Sequence, residues 1–362
     1  MIEYIERLLQ GAEVEWKTLG EVAELKRGTS VTKKTSTPGN YPVISGGQKP
    51  AYYIDTYNRE GETITIAGSG VYAGFVQYWN EQIFVADAFS IKVDEHLLLT
   101  RFVYYFLLTI QDKIYNLKSV GGIPHVYSKD VACFTIPIPP LEVQREIVRI
   151  LDRFTLLEAE LEAELECRRK QYGFYRDKLL SEEYLLARGK VEWKTLGEVC
   201  CLVTAHYKLK CNEYKVVGSV PIIDQGESFI SGYTDEILNA VPKDCYIIFG
   251  DHSEHIKYVD FKFVQGADGI KILKPLKDNA KFIYYAFCNF YIKGLGYKRH
   301  WSQAKETIIP IPPLEVQEEI VRILDKFDTL TTSISEGLPR EIELRRKQYE
   351  YYREQLLNFT RN

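Results

Sequence analysis

The residues best suited to metal chemistry lie in one short segment, residues 250–255. His252 and His255 flank Glu254 there, and Cys245 precedes the segment. A structural metal site usually takes its ligands as two pairs at fixed spacing, and no second pair occurs nearby. The segment is therefore interpreted as a loop whose polar side chains are either available to a ligand or simply solvated. No metal and no cofactor is predicted.

Two further segments resemble enzyme motifs only in part. Gly68, Ser69 and Gly70 mimic a dinucleotide-binding loop, but a strand-like sequence at residues 71–76 follows in place of the required helix. The proline pair in residues 138–141 lacks the preceding Asn or Asp with which amino-methyltransferases hold a target amine. No phosphate-binding Walker loop, kinase signature or Gly-x-Ser-x-Gly elbow is present. The sequence therefore predicts a chain without catalysis.

Polar loops rich in Gly, Ser and basic residues supply candidate contacts to DNA. Base edges are read by hydrogen-bond donors and acceptors, whereas phosphates are held by Lys, Arg and free backbone amides. The candidate contact residues in the first half of the chain are Lys26, Arg27, Thr29, Ser30, Lys33, Lys34, Ser45, Gly47, Gln48, Ser69, Tyr72, Gly121, His125 and Tyr127. Those in the second half are Asp251, His252, His255, Tyr297, Lys298, Arg299 and His300. An ordinary solvated loop is the alternative for each of them.

An internal repeat indicates how these loops are carried. Residues 14–22 recur unchanged at residues 191–199, and residues 137–154 recur at residues 310–327 with two differences. The long blocks between the repeated segments align only faintly. The repeated segments, here called the frame, are thus duplicated, whereas the variable blocks between them, residues 23–136 and 200–309, have diverged. This is the pattern expected of a protein that reads two different targets.

A long helix is predicted after each proline motif. Apolar and aromatic residues spaced by three and four indicate one continuous helix with a coiled-coil seam over residues 141–180. The seam residues of this helix are Ile147, Leu151, Phe154, Leu161, Leu165, Tyr172, Tyr175 and Leu179. Those of the second copy are Ile320, Leu324, Phe327, Tyr349, Tyr352 and Leu356. Gly337 and Pro339 predict that the second helix is interrupted. The alternative is that each helix packs only on its own domain.

Composition limits the class of protein. The 362 residues suit two domains of ordinary size. The net charge of −4 leaves DNA binding open, because such binding depends on local positive charge. Seven cysteines without a Cys-x-x-Cys pair indicate reduced thiols, and no apolar run is long enough to cross a bilayer. We therefore expect a cytoplasmic protein with no membrane contact.

The predicted fold is α+β. Two similar mixed α/β domains are separated by a pair of long antiparallel coiled-coil helices, and the whole has a pseudo-twofold internal repeat. The predicted division places recognition domain 1 at residues 1–137, a first spacer helix at 138–181, recognition domain 2 at 182–309 and a second spacer helix at 310–362. Strands are predicted at residues 63–66, 82–85, 246–249 and 270–273, and helices at 97–108 and 280–288.

Together these features resemble the specificity subunit of type I restriction–modification systems. The resemblance rests on the Trp-x-x-Leu-Gly-Glu-Val segment at 16–22, the Ile-Pro-Ile-Pro-Pro-Leu-Glu-Val-Gln segment at 136–144, the Arg-Arg-Lys-Gln-Tyr segment at 168–172, and the repetition of all three. It covers nearly the whole chain.

The resemblance has definite implications. Each variable block is expected to read one half of a split site in double-stranded DNA, and the helices are expected to fix the gap. Two copies of a methyltransferase subunit would dock on the frame and modify adenine with S-adenosylmethionine, and a restriction/translocase subunit could join them. None of that chemistry would belong to this chain. The alternative is a coiled-coil scaffold that binds only protein partners.

Overall fold

The computed structural model describes residues 2–9, 11–119, 122–267, 269–294, 296–333 and 336–359. The chain forms two compact units. Unit 1 comprises residues 1–162 and 341–362, and unit 2 comprises residues 163–340. Each unit therefore combines one variable block with segments of the repeated helices. No helix in the described ranges is both long and apolar enough to span a membrane.

Unit 1 is built from short helices around three small sheets. Its helices are α1 (Ile2–Leu9), α2 (Leu19–Val22), α3 (Thr100–Thr109), α4 (Gln111–Tyr115) and α5 (Ser128–Ala132). Its strands are β1 (Glu15–Thr18), β2 (Ala23–Arg27), β3 (Pro38–Ile44), β4 (Tyr53–Ile54), β5 (Glu62–Ala67), β6 (Val76–Asn80), β7 (Phe84–Val85), β8 (Ala88–Val93) and β9 (Thr135–Ile138). The first long helix, α6 (Leu141–Leu179), begins in unit 1 and ends in unit 2.

Unit 2 repeats this plan. Its helices are α7 (Glu182–Leu186), α8 (Leu196–Val199), α9 (Ala280–Phe290), α10 (Trp301–Ala304) and α11 (Leu314–Thr332), with a short 3-10 turn at Cys211–Glu213. Its strands are β10 (Glu192–Thr195), β11 (Cys200–Val203), β12 (Val220–Ile223), β13 (Gly232–Thr234), β14 (Tyr246–Gly250), β15 (Ile256–Val259), β16 (Val264–Gln265), β17 (Ile270–Pro275) and β18 (Ile308–Ile311). The last helix, α12 (Gly337–Leu357), lies mainly in unit 1.

The two units share one sheet topology. The strand orders in unit 1 are β2-β8-β5-β6, β4-β3-β7 and β1-β9, and those in unit 2 are β11-β17-β14-β15, β13-β12-β16 and β10-β18. Each three-stranded sheet holds one parallel pair, β3 with β7 and β12 with β16. Blocks whose sequences align only faintly therefore fold in the same way, and the predicted α+β repeat is confirmed.

β-branched and aromatic residues account for the central strands. β5 carries Ile64 and Ile66, and β14 carries Ile247 and Phe249; all four are buried. They belong to the same two cores as the buried faces of α3 and α9. In each unit one helix thus covers one face of the four-stranded sheet.

Most predicted elements are present. The predicted strands at 63–66, 246–249 and 270–273 lie within β5, β14 and β17, and the predicted helix at 280–288 lies within α9. The helix predicted over residues 141–180 is α6, which ends one residue earlier than expected.

Three predicted elements need correction. The strand expected at 82–85 is only the two-residue β7. The helix expected at 97–108 begins at Thr100, because residues 95–97 form a turn and the Leu99 amide is bound elsewhere. Residues 71–74 form a turn rather than a strand, with positive φ at Gly70 and Gly74, and β6 begins only at Val76.

A glutamate that binds the residue ahead of a short helix explains the first repeated segment. The Thr18 amide and hydroxyl both donate to Glu21 Oε2 at 2.6 Å, which closes a capping box at the start of α2. Thr195 and Glu198 make the same contacts at the start of α8, at 2.7 and 2.9 Å. These hydrogen bonds hold the pKa of both glutamates below the usual range.

A buried glutamine explains the second repeated segment. Gln144 is fully buried, its Oε1 accepts from the Leu99 amide at 2.8 Å, and its Nε2 donates to the carbonyls of Leu97 and Pro139. One side chain thus joins the start of α6 to the end of β9 and to the backbone ahead of α3.

The equivalent glutamine of unit 2 makes equivalent bonds. Gln317 accepts from the Asn279 amide at 2.9 Å and donates to Asp278 Oδ1 and to the Pro312 carbonyl. The frame is therefore fixed to each variable block through the backbone ahead of α3 or α9.

The two copies of the long helix differ as predicted. α6 is continuous, whereas the second copy is divided into α11 and α12. Pro339 lies in the first turn of α12, where proline is tolerated, so the interruption precedes the proline. Gly337 has a φ of +81°, and a Cβ there would collide with the Thr329 carbonyl oxygen. The turn between α11 and α12 therefore requires glycine at position 337.

In unit 1 the beginning of α6 packs along α12. The rings of Phe154 and Tyr352 lie 5.2 Å apart, and Ile147, Leu151 and Leu356 are fully buried in one core. Tyr349 packs on the same core with its ring 6.4 Å from that of Tyr105. Arg346 donates to Glu158 and to Glu162. Because later residues of α6 meet earlier residues of α12, the two segments are antiparallel.

In unit 2 the end of α6 packs along α11. The Tyr175 ring stacks on that of Phe327 at 5.4 Å, and Tyr172 lies 6.4 Å from the same ring. Leu179 shares a core with Ile320 and Leu324. Leu161 and Leu165, midway along α6, are half-buried.

The glutamine frame gives a first test. Gln144→Ala would leave the Leu99 amide and two carbonyls without partners, so we expect unit 1 to lose about 1–3 kcal/mol of unfolding free energy. Urea unfolding measures this, and hydrogen exchange should become faster at Leu99. Glu142→Ala, which removes an exposed side chain from the same helical turn, is the matched control. A stability equal to the control would contradict a structural role for Gln144.

Candidate nucleic-acid interface

The end of β5 is the centre of the candidate interface in unit 1. The Gly68 amide donates to the Asp87 carbonyl at 3.1 Å, and the Gly68 carbonyl accepts from the Val126 amide at 3.1 Å. Gly46 approaches the Ser69 backbone so closely that a Cβ on it would collide with the carbonyl oxygen. The loops after β3 and β5, before β8 and before α5 therefore meet at one rim of the sheet.

Several predicted residues gather at this rim. Ser69 Oγ donates to Asp87 Oδ2, and the His125 ring stacks on the Tyr127 ring with centroids 6.0 Å apart. The Lys129 ammonium lies 5.7 Å from the centre of the Tyr127 ring. The residues around the resulting depression include Arg27, Asp87, His125, Tyr127 and Lys129. The depression thus offers two cations, a carboxylate, an imidazole and an exposed phenol, with the Ser69 hydroxyl bonded to the carboxylate at its edge.

Other predicted residues of unit 1 lie elsewhere or contribute through their backbone. Lys33 lines a separate depression with Tyr52 and Tyr53, and Lys26 lines another with Arg59. The Thr29 amide donates to the Val85 carbonyl at 2.9 Å, and the Gln48 carbonyl accepts from Gln77 at 2.8 Å. Ser45 and Gly47 are half-buried, and Ser30, Lys34 and Tyr72 are exposed. Gly121 lies outside the described residues.

Unit 2 builds the same rim with different side chains. The Asp251 amide donates to the Gly269 carbonyl at 2.6 Å, and the Asp251 carbonyl accepts from the His300 amide at 2.8 Å. Asp251 thus takes the place of Gly68 directly after the central strand. Backbone hydrogen bonds fix this geometry, so the faint sequence similarity of the two blocks does not reveal it.

Two predicted contact residues of unit 2 are buried. Asp251 is 5% exposed and its Oδ1 accepts from the Trp301 amide at 2.8 Å. His300 is 1% exposed and its Nε2 lies 3.0 Å from the Gly296 carbonyl oxygen. Because these side chains are engaged inside the unit, they shape the rim loops and do not project from them.

Glu254 forms a buried anchor beneath the same loops. It has a φ of +56° and is 4% exposed, and its Oε2 accepts from Tyr291 Oη at 2.5 Å and from the Gly294 amide at 2.7 Å. His300 Nδ1 lies 3.5 Å from the same carboxylate oxygen. Burial and the bond to Glu254 raise the pKa of Tyr291. Within the described ranges, no group of His, Cys, Asp and Glu side chains is arranged to hold a metal ion.

The exposed part of this rim is aromatic and basic. The His252 and Tyr297 rings stack with centroids 5.1 Å apart and planes 16° apart, and His252 Nδ1 lies 3.1 Å from the Lys298 carbonyl oxygen. Lys298 and Arg299 are exposed. His255 is half-buried and its carbonyl accepts from the Gly250 amide at 2.9 Å.

The sequence analysis missed residues that hold the loops in place. Lys257 in β15 is buried, and its Nζ donates to the carbonyls of Asp224 and Ser228 at 2.9 and 2.6 Å. Burial lowers the pKa of this lysine. In a strand that alternates polar and apolar residues, a lysine of this kind is indistinguishable from a solvated one. Lys129, by contrast, could have been predicted as a contact residue, since it follows the predicted Tyr127 by two positions.

Comparison with known proteins gives the family. The family described as type I restriction modification DNA specificity domain matches residues 12–167 and again residues 189–344. The type I restriction enzyme EcoR124I/EcoR124II specificity subunit of Escherichia coli is 32% identical over 421 aligned positions, which cover 99% of this chain and 98% of that subunit. The EcoprrI specificity subunit of Escherichia coli is 26% identical over 92% of both chains.

A solved structure gives the same fold. The S subunit of a type I restriction–modification system from M. genitalium superimposes with a TM-score of 0.67 and 22% identity, covering 97% of this chain and 98% of its own. With two matches to the specificity domain and a relative 32% identical along nearly its whole length, the chain belongs to the type I restriction–modification DNA specificity family, which makes it a recognition subunit and not an enzyme.

Proposed function

We propose that the chain reads a bipartite target in double-stranded DNA, with one half-site for each unit and a fixed gap between them. One observation carries the proposal. The same loop-bearing rim, closed by the same two backbone hydrogen bonds, occurs in both units with different side chains. Base edges are distinguished by their pattern of donors and acceptors, so equal frames with unequal side chains suit two different half-sites.

The candidate residues divide by chemistry. Arg27, Lys129, Lys298 and Arg299 are exposed cations suited to phosphates. Ser69, His125, Tyr127 and His252 offer donors and acceptors to base edges. The functional division that accompanies this proposal is recognition domain 1 at residues 1–137, spacer helix at 138–181, recognition domain 2 at 182–309 and spacer helix at 310–362.

The long helices are proposed to act as a spacer of defined length. The four-residue sequence Leu-Glu-Ala-Glu at residues 157–160 repeats at residues 161–164 within α6. Arg346 bonds one glutamate from each copy, Glu158 and Glu162. One such repeat adds about 6 Å and about 40° of rotation to a helix. A change in the number of repeats would therefore alter both the separation and the relative facing of two DNA contacts.

The proposed partners are those that membership of the family implies, and the duplicated frame supports them. Two copies of a methyltransferase subunit are proposed to dock on it, because a repeated surface offers two equivalent positions. A restriction/translocase subunit would join that complex. With a net charge of only −4 and few cations at the rims, we also propose that the methyltransferase subunits supply part of the phosphate contacts. Tighter DNA binding by this chain alone than by the complex would count against that division of labour.

Methylation mapping tests the function as a whole. The chain is combined with its methyltransferase subunit, and modified adenines are mapped across random DNA. Two short half-sites at a constant gap are expected. Methylation without a motif, or no complex, would favour a coiled-coil scaffold that binds only proteins.

Salt dependence tests the phosphate contacts. Because Lys298 and Arg299 are exposed at the rim, the double variant K298A/R299A should bind DNA more weakly. The slope of log K against log salt should become shallower by about 0.9 for each phosphate that the variant no longer neutralises. The matched control, R169A/K170A, removes two exposed positive charges from the last third of α6. Equal effects of the two double variants would show that total charge matters and that this rim does not bind phosphate.

Deletion of residues 161–164 tests the spacer. In the shortened helix Glu166 takes the place of Glu162, so the contact of Arg346 with two glutamates is preserved. The gap in the methylated motif should change, or binding should be abolished. The variant E158Q/E162Q keeps the helix length and should keep the gap. An unchanged gap in the deletion variant would contradict the spacer role.

A further inference from the structure

We propose that Tyr297 stacks on a nucleobase that is exposed when one base pair of the unit 2 half-site opens. This inference rests on the proposed DNA-reading function and assigns a specific contact within it. Tyr297 would act as a stacking residue, whereas its basic neighbours would hold the phosphates on either side.

The first argument is exposure. The Tyr297 side chain is 92% exposed, and a large aromatic ring left in water gives up the free energy of burial. The His252 ring is nearly parallel to the Tyr297 ring with centroids 5.1 Å apart, and because Tyr297 remains 92% exposed, His252 lies beside its ring and leaves both faces largely accessible. Among the described residues no cation or second ring covers Tyr297. The ring is thus a flat and accessible surface, which matches a flat partner.

The second argument is that the Tyr297 ring is held in place. His252 Nδ1 lies 3.1 Å from the Lys298 carbonyl oxygen, so the supporting ring is tied to the loop that carries Tyr297. The same loop is anchored by the Gly294 amide on Glu254 and by His300 on the Gly296 carbonyl. Ordering a loop before binding removes an entropic cost from the complex. The buried glutamate and histidine therefore act as positioning residues for Tyr297.

The third argument is the setting. Lys298 and Arg299 follow Tyr297 directly and are exposed, so a stacked ring would lie beside two cations. Proteins commonly bind unpaired bases by stacking them on aromatic side chains that lie beside basic residues. A base within an intact duplex presents no free face, so stacking requires that one pair opens.

Unit 1 carries a related but different pair. Its His125 and Tyr127 rings also stack, but Tyr127 is 50% exposed and the Lys129 ammonium lies 5.7 Å from its ring centre. The Tyr127 ring therefore already has a neighbouring cation over it. The inference is therefore confined to unit 2.

A base-by-residue cycle tests the contact. The probe is the duplex that carries the methylated motif, with abasic nucleotides placed singly along both strands. The protein is the full chain in complex with its methyltransferase subunit. We expect Y297A to weaken binding about tenfold and Y297F to remain within about twofold. At one position the abasic nucleotide should abolish the effect of Y297A, because the ring then has no base to stack on, whereas at every other position the effect of Y297A should persist. H252A, which removes the supporting ring, should reduce the coupling at the same position.

The outcomes separate this inference from the proposed function. If the wild-type complex yields no split motif, the proposed function fails and the stacking contact fails with it. If the motif is found but Y297A binds within twofold of wild type, only the stacking contact is overturned. It is likewise overturned if the effects of Y297A and of abasic nucleotides multiply at every position. A uniform decrease in affinity accompanied by weaker assembly with the methyltransferase subunit would assign Tyr297 to a protein interface.

Discussion

The hydrogen bonds of one buried glutamine in each unit are the constraint on which the rest of the structure depends. Gln144 and Gln317 each satisfy an amide and at least one carbonyl of the backbone around them. An unpaired buried amide costs free energy comparable to a lost hydrogen bond, so the backbone ahead of α3 or α9 is held in one position relative to the long helices. The variable blocks can therefore differ in sequence without altering how they join the frame.

The same principle operates at the rim. Gly68 and Asp251 have unlike side chains, yet each makes the same two backbone bonds after the central strand. Because backbone groups alone make these bonds, the side chains at the rim can vary without changing its geometry. Unit 1 places an imidazole, a phenol and two cations in a shared depression, whereas unit 2 places an acid and a histidine beneath the loop and leaves a stacked aromatic pair outside. A recognition protein needs this separation of scaffold from readout.

Sequence reasoning recovers what repeats and what is periodic. The duplicated segments predict the frame, the seam spacing predicts a continuous α6, and Gly337 with Pro339 predicts the interruption between α11 and α12. Sequence reasoning fails where the burial of a side chain decides whether it can contact a ligand. Asp251 and His300 occur in polar loops like those of Lys298 and Arg299, and only the fold buries the first pair and exposes the second. Lys257 is hidden for the same reason, since its partners are carbonyls about thirty residues away along the chain.

Charge is distributed along the chain in a way that the total conceals. The stretch 158–166 in α6 carries five glutamates and no basic residue, and it supplies more negative charge than the net −4 of the whole chain. Part of that charge is neutralised locally, because Arg346 bonds Glu158 and Glu162, and Arg168 bonds Glu164 at 2.7 Å. Charges along a spacer helix repel polyanions and bring solubility, whereas cations at a rim attract phosphate over roughly a Debye length of about 8 Å. Over its whole length α6 carries nine acidic and eight basic residues, so the five glutamates are nearly balanced within the same helix and do not account for the net charge of the chain. Under the proposed function, the electrostatics that bear on DNA would be set by the cations at each rim.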